Sequence, residues 1–155
     1  MDIDEKKINM CLEKGKLEVK DHIKFKYIVE ILRLFNIHVD GWMKGSYILN
    51  EKEGIMFTRN DNAYWKDKFD DEYMYEKCIA QEEKNIEDVN WYWGERKIYI
   101  FRKENDAEYE FMGCFVQDPK KLKQLRAQGI CNERPYKKIG EEVILTKLKS
   151  ISDWM

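Results

Sequence analysis

The chain has 155 residues, 43% hydrophobic and 37% charged, with a net charge of −2, which fits one globular core and excludes the disordered class of low hydrophobicity and uncompensated charge. No apolar run is long enough to span a bilayer, and the leading MDIDEKKINM is acidic where a secretory signal is basic and then apolar, so a soluble, cytoplasmic protein is expected. Residues 1–50, 51–110 and 111–155 carry +1, −7 and +4, so binding of nucleic acid by phosphate neutralisation alone is excluded, while a local basic contact is not.

The first helix is capped by Asp2 or Asp4, turns Ile8, Cys11 and Leu12 inward and ends at Gly15. A second helix is predicted from about Asp21 to Phe35, because Ile23, Tyr27, Ile31 and Leu34 form one apolar stripe and His22, Lys26, Glu30 and Arg33 line the other side. Asn36 is placed for a left-handed cap. Beyond it the period changes. Ile37 to Val39 and Ser46 to Leu49 read as short strands, and Asn50 to Gly54 as a turn feeding Ile55 to Thr58. Residues 64–90 fit strand or helix about equally, with an acidic loop from Gln81 to Asp88.

The clearest sheet pattern is at 91–117. Ile98 and Ile100 alternate against Tyr99 and Phe101, a turn spans Glu104 to Ala107, and Tyr109, Phe111, Gly113 and Phe115 then oppose Met112, Cys114 and Val116. Both faces are apolar, as in a sheet covered on two sides, and Gly113 inside a strand marks a bulge or a close backbone approach. Asp118 and Pro119 open a short helix that buries Leu122 and Leu125 and ends at Gly129. Arg134 to Ile139 and Val143 to Leu145 are the last strands, and Leu148, Ile151 and Trp154 suit a final helical turn.

Common catalytic arrangements fail one by one. His22 lies on a polar stripe and His38 alternates outward, so neither meets a nucleophile. The glycines match no phosphate loop, and Cys11, Cys78, Cys114 and Cys131 lack metal-site spacing and suit free structural thiols. Asp88 with Glu95-Arg96-Lys97 looks like a nuclease triad, but Glu-x-Lys recurs at Glu5, Glu18 and Glu82 and is background here. Asp67, Asp70, Asp71 and Glu72 lack calcium-loop spacing and read as a solvated face. What remains is aromatic. Trp91 and Trp93 would share one face of a strand, near Tyr64 and Trp65, where they either cover the sheet edge or stack on a flat ligand.

The segments Ile98 to Lys103, Tyr109 to Val116 and Arg134 to Ile139 resemble the core of PUA/SRA-like small β-barrel domains that accompany bacterial restriction nucleases; the likeness spans about residues 65–145. Such domains read modified or flipped bases in an aromatic pocket, and the resemblance implies Trp91, Trp93, Tyr109 and Tyr136 as ligand-binding residues, with Arg134, Lys137 and Lys138 toward phosphate. The expected fold is α+β: one domain, helical over 1–36, packed on a curled, mostly antiparallel, barrel-like sheet over 37–155, with one short inserted helix. The expected function is non-catalytic recognition of nucleic acid in bacterial or phage defence, with no cofactor and no metal. The rival is an acidic inhibitor or adaptor that captures a basic protein through Glu82, Glu83, Glu87 and Asp88.

Overall fold

A computed structural model describes residues 2–39, 44–59, 65–78, 93–104 and 107–145. Helix α1, Glu5–Lys14, starts where the Asp4 carboxylate accepts from the Lys7 N–H and ends at Gly15 in the left-handed region. Strand β1, Lys16–Glu18, and a 3₁₀ turn, Val19–Asp21, follow at once. The long second helix is not formed. His22 takes φ 48°, β2 occupies Lys24–Phe25, and α2 is only Ile28–Leu34, so the helical spacing of Ile23 and Tyr27 is broken by an extended segment. The reason is tertiary: Lys24 and Phe25 pair antiparallel with Glu110 and Tyr109, which overrides local periodicity. Asn36 does adopt the left-handed conformation, φ 58°, and residues 37–39 form no strand.

The hairpin β3, Ser46–Ile48, and β4, Glu53–Arg59, forms as the turn predicts. Within the ambiguous segment, strands β5, Lys68–Phe69, and β6, Tyr73–Lys77, are sheet, while the expected acidic loop from Gln81 to Asp88 lies outside the described residues. They are followed by β7, Lys97–Lys103, β8, Tyr109–Gln117, helix α3, Pro119–Ala127, β9, Glu133–Gly140, and β10, Glu142–Ile144. The large sheet runs β3-β4-β7-β8-β9-β6-β5, with β2 beside β8, while β1 and β10 form a separate ribbon. The β4–β7 pairing is parallel and the other named strand pairings are antiparallel. The two ends of this order do not pair, so among the described residues the sheet is open rather than a closed barrel.

Both sheet faces are covered. Helices α1 and α2 lay Ile8, Cys11, Ile31 and Leu34 against Ile55, Phe57, Tyr99, Phe101 and Phe111. The other face gathers Met56, Met74, Trp93, Ile98, Ile100, Phe115 and Tyr136. Along β7 the alternation follows the sequence, but β8 changes sides. Gly113 takes φ +124°, and the registers shift beside it, so Cys114 joins the cluster of Tyr109 and Phe111 while Phe115 joins the opposite one. Helix α3 begins with the Asp118 side chain accepting from the Lys121 N–H and buries Leu122 and Leu125, as its pattern predicts.

Candidate functional site

The face bearing Met56, Trp93 and Tyr136 does not close over completely. A cleft of about 320 Å³ is lined by Ser46, Met56, Thr58 and Arg59 from one side and by Trp65, Asp67, Glu76, Arg134 and Tyr136 from the other. It lies between β4 and the β6–β9 edge, across the seam that the sheet leaves open.

Strand register builds its polar wall. Trp65 bridges to Cys78 and Lys68 pairs with Tyr75, which sets Asp67 opposite Glu76, and Glu76 in turn pairs with Arg134. Asp67, Glu76 and Arg134 therefore form one rung across three adjacent strands. Arg134 Nε lies 3.2 Å from Glu76 Oε1, and the Tyr136 hydroxyl donates to the same carboxylate. The guanidinium of Arg134 also sits 5.6 Å from the ring centroid of Trp65. Burial, with the Glu76 charge alongside, pushes the Asp67 carboxyl up to about 7, against the pull of a backbone hydrogen bond at Lys77 and of Arg134 and Arg102. Across the cleft Thr58 is buried, and its hydroxyl has no hydrogen-bond partner. Such a group is costly unless something else supplies the bond.

The aromatic floor has its own cause. Trp93 is 2% exposed and lies flat against Gly54, where a Cβ would overlap its ring. It occupies a turn rather than a strand, so the strand that was to align it with Trp91 is not formed at this residue. Trp91 and the acidic residues Glu82, Glu83, Glu87 and Asp88 lie outside the described residues.

The remaining expected site residues separate. Arg134 and Tyr136 line the cleft with Trp93. Tyr109 is buried in the opposite cluster, its ring 5.7 Å from that of Phe57, and is not part of the cleft. Lys137 is exposed and pairs with Tyr73 on the reverse side of β9, while Lys138 binds Glu141 at 2.8 Å. Arg134 is committed to Glu76 and Trp65, which suits it to the cleft more than to phosphate. Thr58 and Asp67 carried no signal in the sequence, because a threonine in an apolar strand and an aspartate among charges are both ordinary. Asp67 is in fact separate from Asp70, Asp71 and Glu72, with its Oδ1 shielded from solvent, so the solvated-face expectation fails for it. Glu95, the nuclease candidate, is exposed in the turn after Trp93. Among the described residues no group of histidine, cysteine, aspartate and glutamate is arranged to hold a metal, and no helix is long and apolar enough to cross a membrane.

The sequence of residues 10–145 matches a known family model, that of the SET and RING associated (SRA) domain. The chain belongs to this family, a class of nucleic-acid recognition domains. Among solved structures it is similar to the 5-hydroxymethylcytosine-specific restriction enzyme AbaSI, with a TM-score of 0.66 and 18% identity, over 88% of this chain and 44% of that one. The chain thus spans less than half the length of that enzyme, and the likeness is one of fold. No curated protein matches it by sequence.

Proposed function

We propose that this domain is a non-catalytic module that takes an unstacked base, a modified cytosine foremost, into the cleft between β4 and the β6–β9 edge. The observation that carries this reading is the Thr58 hydroxyl, buried and without a partner inside a cleft walled by Trp65, Trp93 and Tyr136. A flat ring with polar edges meets both demands, since it stacks on the aromatic wall and offers hydrogen bonds to Thr58 and Asp67. The volume agrees, because small-molecule sites begin at about 300 Å³, enough for a single ring rather than a whole nucleotide. The likeness to a restriction enzyme specific for 5-hydroxymethylcytosine supports a modified cytosine and a defence setting.

The test is direct. Duplexes carrying one cytosine, 5-methylcytosine or 5-hydroxymethylcytosine are titrated at low salt, with electrophoretic mobility and tryptophan fluorescence as readouts. The modified duplexes should bind more tightly and quench the fluorescence, and Trp65→Ala should weaken binding by roughly 1–3 kcal/mol. Unchanged mobility and fluorescence with every duplex would show the reading to be wrong.

A further inference from the structure

We infer that Arg134 is a positioning residue of the cleft: held by Glu76, its guanidinium supports the Trp65 indole as a fixed wall, and it acts on a bound base through that ring alone. This rests on the base-binding reading and adds to it the device that keeps the aromatic wall in place.

Trp65 depends on such a support. It stands before β5, and among the described residues its segment is tied to β6 by the bridge to Cys78 and by the Lys66 N–H donating to the Lys77 carbonyl at 2.9 Å. The residue is half-buried, and the side chain directly across the bridge, that of Cys78, is small. A large ring on so short a ladder is oriented by whatever lies against its face. Arg134 arrives there diagonally, because its rung with Glu76 lies two residues along β6 from the bridge at Cys78. Diagonal neighbours are within reach of long and aromatic side chains. The guanidinium lies 5.6 Å from the indole centroid, inside the range of a cation–π contact. The Arg134 side chain is 13% exposed and that of Glu76 17%, so water competes little and the contact is at the stronger end of its range.

The guanidinium is itself fixed. Its Nε lies 3.2 Å from Glu76 Oε1 without the alignment of a hydrogen bond, so this is a contact between charges. The same carboxylate accepts from the hydroxyl of Tyr136, which is buried. One carboxylate thus holds both aromatic walls, Tyr136 directly and Trp65 through Arg134. A planar guanidinium can meet a carboxylate at its edge and a ring with its face at once, which a lysine ammonium does less well. With both engaged inside the protein, little of Arg134 is left for phosphate. A wall set before the base arrives spares the ordering cost that a mobile ring would add to binding.

Two measurements on the intact chain decide this, with Arg134→Gln, which keeps a polar group beside Glu76 and removes the cation. The first is nitrogen-15 NMR relaxation of the tryptophan indole N–H groups in the free protein, the Trp65 signal being the one missing from Trp65→Ala. That signal should be as ordered as the backbone in the wild type and mobile in Arg134→Gln, while the Trp93 signal stays ordered in both. The second is affinity for a 5-hydroxymethylcytosine duplex. Arg134→Gln should weaken it roughly two- to thirtyfold in the wild-type background and by less than about twofold in Trp65→Ala. The dependence of log affinity on log salt should not change, whereas loss of a phosphate contact would reduce its slope by about 0.9. Arg134→Lys, which keeps a cation beside the ring, should recover part of both the order and the affinity. Additive losses in the double variant, a reduced salt slope, or no recovery in Arg134→Lys overturns the inference. A Trp65 indole that stays ordered in Arg134→Gln overturns it alone, with base binding intact. Absence of binding to every duplex by a wild-type protein whose Trp65 loosens in Arg134→Gln removes the base-binding reading, and the role of Arg134 in it.

Discussion

Two carboxyls, one buried and one half-buried, are held by different surroundings. Glu30, 1% exposed, accepts from the Tyr27 N–H at 3.0 Å and from the Asp4 N–H at 2.7 Å, so one side chain caps α2 and ties the start of α1 to it. Glu30→Ala should cost roughly 1–3 kcal/mol, read as a lower urea midpoint, because two backbone donors lose their acceptor. At Asp67, burial and the neighbouring Glu76 push the carboxyl up to about 7. An acid whose folded value exceeds its unfolded one adds most to stability below the unfolded value, and the contribution is lost as pH rises from 3.8 to about 7. Asp67→Asn should therefore raise the melting temperature at pH 8 by a few degrees relative to its effect at pH 4, as calorimetry at the two pH values would show.

At the scale of elements, glycines set the geometry. Gly54 leaves room for the Trp93 ring, so Gly54→Ala should expel that ring, shift tryptophan emission to the red and weaken base binding. Gly113 holds φ +124°, and a Cβ there would lie 2.8 Å from the Gly140 carbonyl oxygen. Gly113→Ala should cost on the order of 1–3 kcal/mol, measured by denaturation. Strands β7 and β8, the caps of α1 and α3 and the bulge at Gly113 were legible in the sequence, because alternation, capping and glycine act over a few residues. The limits of α2 and the character of Asp67 were not. Lys24 and Phe25 leave the predicted helix to pair with Glu110 and Tyr109, and the Asp67 carboxyl is pushed up by burial and by Glu76, which arrives from another strand, against the pull of Arg134. Trp93 was legible as an aromatic ligand-binding candidate, but its turn conformation and its seat on Gly54 depend on a contact far along the chain.

For the whole molecule, the proposed uptake of a base by the cleft, in a chain of near-neutral charge, predicts few phosphate contacts. The dependence of log affinity on log salt should be shallow, about −0.9 for each phosphate engaged, and Arg59→Ala, at the exposed wall of the cleft, should reduce it by about one contact. The ribbon of β1 and β10 has a different, mechanical consequence. Lys16 lies opposite Ile144 and Glu18 opposite Glu142, so chain entering at residue 16 and chain leaving at residue 144 lie at the same end of the ladder. Tension applied through those two ends would part the ribbon rung by rung, starting at Lys16 and Ile144. The clasp would peel open under small loads while the parallel β4–β7 pairing, deep in the large sheet, stayed intact.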